Sequence, residues 1–427
     1  MLRASLEHQL QPSWDDESVC YFLDEFCIPP SPGIFPGYLD FLQDLVAASP
    51  PNSALRPASL ASACLSLSRR SKSAYLYTRA CEYYGKALRI LNKSLNESSS
   101  AVRDETIATV MLLNLFEDMD TKACHKHASH LYGIVQLFCS RHQNLLEFTS
   151  RGQVYSWAFT QLQIQAFTTG QTFECLRNPD LGLHNWTFSP GMGILCNHIN
   201  EFCMAVTRCL QTIDTKHQEA GNTLEILTSL VHQAIRIQAQ IGGWTNSLNP
   251  VWTPKTADIS GQVVVTFATR LLGIVWSLYH AALVFFYTGV LSCCRAVLML
   301  HTCTTPCAEK ELTETTSAMA RQTILRMIDS ICCSIPYNLG EVDEQGQTRE
   351  VPKYKTSTSY YMIWPLALVA HCPYSTATQS RTCNETLERI RNMYGLGFVD
   401  TIHTAASTWR WRCEGGFDTL SLLSNVL

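Results

Sequence analysis

An all-α fold is the expectation for this chain, and three observations predict it. Apolar residues recur at three- and four-residue spacing along almost the whole length, and no run of strict alternation competes with them. Hydrophobic residues make up 46% of the chain and charged residues only 16%, so many helices must be buried on more than one side. At 427 residues, one large unit or two tightly docked ones are both compatible with the pattern. The reading is a flexible N-terminal segment 1–17 followed by an all-helical domain 18–427. A subdomain break is placed near 171–192, where Pro179, Gly182, Pro190 and Gly191 interrupt the periodicity.

Element by element, Val19 to Val46 opens with an aromatic-rich helical pattern, VCYFLDEF. It breaks at Pro29, Pro30, Pro32, Gly33, Pro36 and Gly37 and resumes as YLDFLQDLV. After the loop SPPNS, Ala54 to Ser68 reads as an apolar helix. Tyr75 to Leu95 is amphipathic: Leu76, Ala80, Tyr83, Ala87, Leu91 and Leu95 share a face, while Arg79, Glu82, Lys86, Arg89 and Lys93 fall elsewhere. Asp104 to Glu117 reads as a helix in which the run IATVMLLNLF is apolar all round, and such a helix has to be internal. Helices near Ala123 to Ser140 and Gly152 to Thr169 complete the first half. The second half offers helices near Ile194 to Thr212, Thr223 to Ile241, Gly261 to His301, Glu311 to Ile335, Ser357 to His371 and Thr382 to Met393.

Charge and cysteine usage exclude whole classes of function. The net charge is −4, and the local basic cluster of Arg69, Arg70 and Lys72 reads as a solvated helix end or loop, so the electrostatic footprint of phosphate binding is missing. The nineteen cysteines are scattered through helical patterns, and the N-terminus has no apolar core of a signal peptide. The thiols are read as reduced side chains of a cytosolic or nuclear protein, which leaves the sequons at Asn92, Asn96, Asn185 and Asn384 without a role. From Leu271 to Leu291 the chain is long and apolar enough to span a bilayer. Its solitude, with Arg270 and Arg295 at its edges and many apolar helices to enclose it, favours a central buried helix over a membrane span.

The stretch from Leu55 to Glu117 resembles the regulatory domain of fungal-specific zinc-cluster transcription factors. In that family an apolar helix ends in paired arginines, an LYG-A-L-LL helix follows, and after a polar loop comes a DET-L-AVLLL-YE helix. The matching positions here are Leu55, Arg56, Arg69, Arg70, Tyr84, Gly85, Ala87, Leu88, Asp104, Glu105, Thr106 and Glu117. His130, Leu131 and Gly133 are similar to the next motif, and Trp276, Tyr279, His280, Ala281 and Ala282 to its W-YxAA helix. Trp364, Pro365 and Leu366 are similar to its W-PL segment, and Leu387, Glu388, Arg389, Ile390 and Gly397 to its LERI–LG sequence. The matches run in family order from about Ser18 to Ala406. Cys124, His125 and His127 stand where the family usually has a tryptophan, and Arg103 where it commonly has serine; both departures touch helix entry. The resemblance implies a large helical array of the regulatory-domain type in a nuclear protein. The family's DNA-reading element is a binuclear zinc cluster with two C-x-x-C pairs. No C-x-x-C occurs in this sequence, so the expectation is a regulatory domain without that module.

Other chemistry was weighed on spacing. Cys124, His127 and His130 partly share a helical face but cannot close a tetrahedral site alone, and a packed helix is the favoured reading. Cys293, Cys294, Cys303 and Cys307 form the densest thiol cluster and, like Cys332 and Cys333, read as small buried hydrophobes. No G-x-S-x-G, phosphate loop or H-E-x-x-H occurs, and the G-x-G fragments at Gly191/Gly193 and Gly395/Gly397 lack a preceding strand. Asp15, Asp16 and Glu17 read as a solvated run; interleaved with Trp14, Tyr21 and Phe22, they offer transcription machinery a contact as the second reading. No catalytic, cofactor-binding or metal residue is assigned. The expected partners are a protein carrying DNA-binding activity or a second copy of the chain, and a small-molecule effector; direct nucleic-acid binding and membrane insertion are not expected. A helical enzyme or scaffold with an unrecognised small-molecule site is the rival reading.

Overall fold

The computed structural model describes residues 13–29, 38–96, 103–120, 129–141, 153–169, 192–215, 220–259, 261–300, 308–353, 355–403 and 405. The chain divides into two compact units, one of residues 1–158, 355–357 and 389–400, the other of residues 159–354, 358–388 and 401–427. Helices dominate both, as the periodicity predicts. The break expected near 171–192 lies outside the described residues, except that Met192 opens a helix.

In the first unit, α1 (Trp14–Phe26), α2 (Leu42–Ala48), α3 (Leu55–Ser71), α4 (Ala74–Leu95), α5 (Asp104–Met119) and α6 (Ser129–Arg141) follow one another, and α7 (Gln153–Thr169) begins. The segment 1–17 expected to be flexible is helical from Trp14. Ser13 Oγ accepts the Asp16 N–H at 3.1 Å, and Asp15, Asp16 and Glu17 complement the positive end of the helix dipole. Asp15 is also held by Arg79 at 2.9 Å and by the Tyr83 hydroxyl, whereas Asp16 and Glu17 are exposed as a solvated run would be. Helix α3 ends with Lys72 in the left-handed region (φ 55°), the Ser73 N–H reaching the Ser68 carbonyl at 3.2 Å. Ser73 then caps α4 by accepting the Leu76 N–H at 3.3 Å, which makes a tight hairpin of the two helices. Small residues on α3 (Ala58, Ala61, Ser62, Ala63) are buried and let neighbours approach; Ser62 donates to the Leu112 carbonyl of α5 at 3.1 Å. Every residue of α5 from Ile107 to Phe116 is buried.

In the second unit lie α8 (Met192–Thr215), α9 (Ala220–Ser247), β1 (Lys255–Ile259), β2 (Gln262–Thr266), α10 (Arg270–Leu300) and α11 (Ala308–Asn338). Residues 358–371 of α12 (Thr356–His371) and 377–388 of α13 (Ala377–Tyr394) belong to it as well. Helix α10 is its core: Leu271 to Leu291 is buried throughout apart from half-buried Gly289, and α8, α9 and α11 pack around it. The helix expected to begin at Gly261 begins instead at Arg270, with Thr269 Oγ1 accepting the Leu272 N–H at 3.3 Å. Ahead of it stands an antiparallel hairpin pairing Lys255 with Thr266 through Ile259 with Gln262. The alternation that the sequence reading did not register is in QVVVT, where Val263 is exposed and Val264 buried. Gly261, at φ 84°, takes the left-handed backbone of the connection, and its N–H bonds Asp258 Oδ1 at 2.8 Å.

Where α10 meets α11, Asn338 is fully buried. Its amide donates to Ser277 Oγ at 3.0 Å, Ser334 Oγ at 3.2 Å and Met362 Sδ at 3.3 Å, a polar pin in an apolar seam. Gly273 makes room for it: a Cβ there would stand 2.0 Å from Asn338 Oδ1.

Candidate functional site

Three positions that carry the sequence motifs converge in the first unit. Tyr84 on α4 donates to Glu117 Oε1 on α5 at 2.6 Å, and His130 Nε2 on α6 lies 3.1 Å from the same oxygen. The Tyr84 ring stacks on Phe116 at 4.5 Å. Glu117 is 3% exposed, and burial together with its hydrogen bond from Tyr84 drives the tyrosine's pKa far above the ordinary phenol range. Close by in sequence, Asp120 accepts Arg69 at 2.8 Å and the Tyr77 hydroxyl at 3.3 Å, and the Arg69 guanidinium lies 5.5 Å from the Tyr77 ring centre. Gly395, at φ 63°, leaves space for the Arg69 stem, which a Cβ would meet at 2.9 Å. The reading of Arg69 as part of a solvated basic cluster is therefore corrected: it is paired, and only Arg70 and Lys72 of that cluster are exposed. Burial runs past the apolar stretch to the polar end of α5, where Asn114, Glu117 and Asp118 are buried and Asn114 bonds Asp118 at 3.0 Å.

Chemically, this cluster fastens helices rather than turning over substrate. Glu117 spends an oxygen on two protein groups, and burial closes it off from a reacting molecule. The tyrosine, glutamate and histidine were each legible as motif positions. Their contact was not.

The second unit holds a small apolar pocket, with a void of about 40 Å³, among Phe159, Phe167, Cys196, Leu278, Ala282 and Trp364. The Trp364 indole lies parallel to Phe285 (5.9 Å, 9°) and stacks on Phe167 (5.6 Å, 27°). Among the described residues no acceptor reaches its buried N–H, whereas Trp276 donates its own to the Trp252 carbonyl at 2.8 Å. A buried donor without a partner costs about 1–3 kcal/mol, and the void beside it, at about 40 Å³, is closer to the size of a water molecule than to that of an organic ligand. Trp364 entered the sequence reading as a motif residue, with no signal for a pocket.

Of the thiols read as small buried hydrophobes, Cys293 and Cys294 are buried, whereas Cys332 and Cys333 are half-buried. Cys293 donates to the Leu227 carbonyl at 3.3 Å, and burial pushes its pKa well up and those of Cys196 and Cys294 to about 12. Cys303, Cys307, Cys124 and His127 lie outside the described residues, and His130 belongs to the Glu117 cluster. Of Trp14, Tyr21 and Phe22, weighed as a contact for transcription machinery, Trp14 is exposed and Phe22 is in the core.

Among the described residues the molecule is an α-helical array. Residues 19–408 match the model of the fungal specific transcription factor domain, and the chain belongs to that family. No curated protein and no solved structure matches it. The family is one of transcription-factor domains rather than of enzymes, and the role it supports is that of a transcription regulator.

Proposed function

We propose that this chain is the regulatory domain of a nuclear transcription regulator, tethered to its genes by a protein partner that carries DNA-binding activity, able to pair with a second copy of itself, and responsive to a small metabolite. Family membership over residues 19–408 carries the reading. The net charge of −4 and the lack of any C-x-x-C pair support tethering, because overall charge does not favour phosphate and the two C-x-x-C pairs of a binuclear zinc cluster do not occur in these 427 residues. Genes of secondary metabolism are the expected targets.

The test has two halves. The purified chain should show no sequence-specific DNA affinity at physiological salt, and the same chain fused to an unrelated DNA-binding domain should change transcription of a reporter. Tight specific binding by the isolated chain would overturn the tethering, and a silent fusion would count against a transcriptional role.

A further inference from the structure

Helices α11 and α13 meet in the second unit at two neighbouring points. Gln379 Nε2 donates to Asp329 Oδ1 at 2.7 Å. One turn further along each helix, the Sγ atoms of Cys332 and Cys383 stand 4.0 Å apart. Cys383 is fully buried and Cys332 half-buried, so one thiol of the pair meets solvent while the other backs it. A disulfide needs its sulfurs at about 2.05 Å, and the pair closes that gap by moving together roughly 2 Å. The polar clip from Gln379 to Asp329 holds the helices side by side at this level.

The thiols also differ in reactivity. A hydrogen bond from Cys383 holds Cys332 below the ordinary thiol range against the opposing effects of burial and Asp329, and the same contact with burial drives Cys383 up. Burial raises neighbouring Cys333. The more exposed thiol is thus the better thiolate, with a resolving thiol behind it.

We propose that Cys332 and Cys383 are a peroxide-responsive pair whose reversible disulfide staples α13 to α11. The Cys332 thiolate attacks one oxygen of hydrogen peroxide and the O–O bond breaks. Hydroxide leaves, takes up the proton Cys332 had released and becomes water. Cys383 sulfur then attacks the resulting sulfenic acid, the S–O bond breaks, and a second water carries off the Cys383 proton. Two thiols are oxidised, one peroxide is reduced to two waters, and a dithiol reverses the bond by exchange. The closed loop contains α12 with Trp364, so the staple constrains a wall of the aromatic pocket.

The experiment treats the reduced full-length chain with hydrogen peroxide, blocks free thiols by alkylation and maps peptides by mass. A Cys332–Cys383 peptide lighter by two hydrogens, restored by dithiothreitol, is the expected product. The oxidised protein should melt a few degrees above the reduced one; Cys332→Ser should abolish both effects and Cys333→Ser neither. Free, alkylated Cys332 and Cys383 after treatment, or Cys332 bonded to any other thiol, would overturn the proposal. Because the mapping is read on the unaltered chain, it decides the matter even where a variant fails to fold.

Discussion

Leu113 sits at the middle of α5 with no exposed surface, and its neighbours along the helix are equally enclosed. An aspartate there would place a charge among apolar groups, at a cost of several kcal/mol, about 3–5 by the penalty for an unpaired buried charge. Leu113→Asp should therefore abolish regulation through loss of folded protein, and a soluble variant with unchanged melting temperature would contradict this placement. His280 makes a subtler case. Burial, aided by Arg326, lowers its pKa from 6.5 to about 4, so it is neutral in the fold. Between those values the unfolded chain binds the proton and the folded chain does not, so stability falls as pH drops from 6.5 towards 4. The total loss is about 3 kcal/mol. Melting curves of the parent and of His280→Gln, compared from pH 7.5 to 4, should show the fall shrinking in the variant; parallel curves would remove His280 as its cause.

At the scale of elements, the seam between α10 and α11 is the sharpest feature. Gly273 faces Asn338 so closely that a methyl group has no room, while Asn338 in turn pins Ser277, Ser334 and Met362. Gly273→Ala should cost roughly 1–3 kcal/mol by overpacking, despite the better helix propensity of alanine. Combined with Asn338→Ala, which removes the obstructing oxygen, the two losses should add to less than their sum. Strict additivity in urea denaturation would show that the two residues do not compete for this space. The hairpin before α10 shows where helical reasoning overreached. Lys255 to Ile259 carries little apolar signal, and β2 offers only five residues of alternation, too few to stand out beside thirty-one residues of helix.

For the whole molecule, the question raised by α10 is its solvent. The helix is long and apolar enough to cross a membrane, yet Leu271 to Leu291, apart from half-buried Gly289, is buried by protein within the second unit. That enclosure removes the drive to enter lipid. After detergent-free lysis and ultracentrifugation the chain is expected in the supernatant, and recovery only from detergent-extracted membranes would reverse the reading. For DNA, the net charge of −4 supplies no overall long-range attraction to phosphate.

What the sequence determined by itself is local or cumulative. Helix positions followed from 3.6-residue spacing, the burial of Ile107–Phe116 and Leu271–Leu291 from unbroken apolarity, and the family from motifs that are weak singly but ordered along the chain. Capping was less visible: Ser13 and Thr269 start helices that the apolar pattern alone placed too late or too early. Tertiary structure alone decided which motif residues touch. Tyr84 meets Glu117 across 33 positions and Arg69 meets Asp120 across 51, while Trp364 becomes the wall of a pocket only when Phe167 and Phe285 stack on it. Periodicity records which face of a helix is buried, but the register and crossing of one helix on another arise from side-chain packing between segments distant in sequence. No spacing along the chain encodes that geometry.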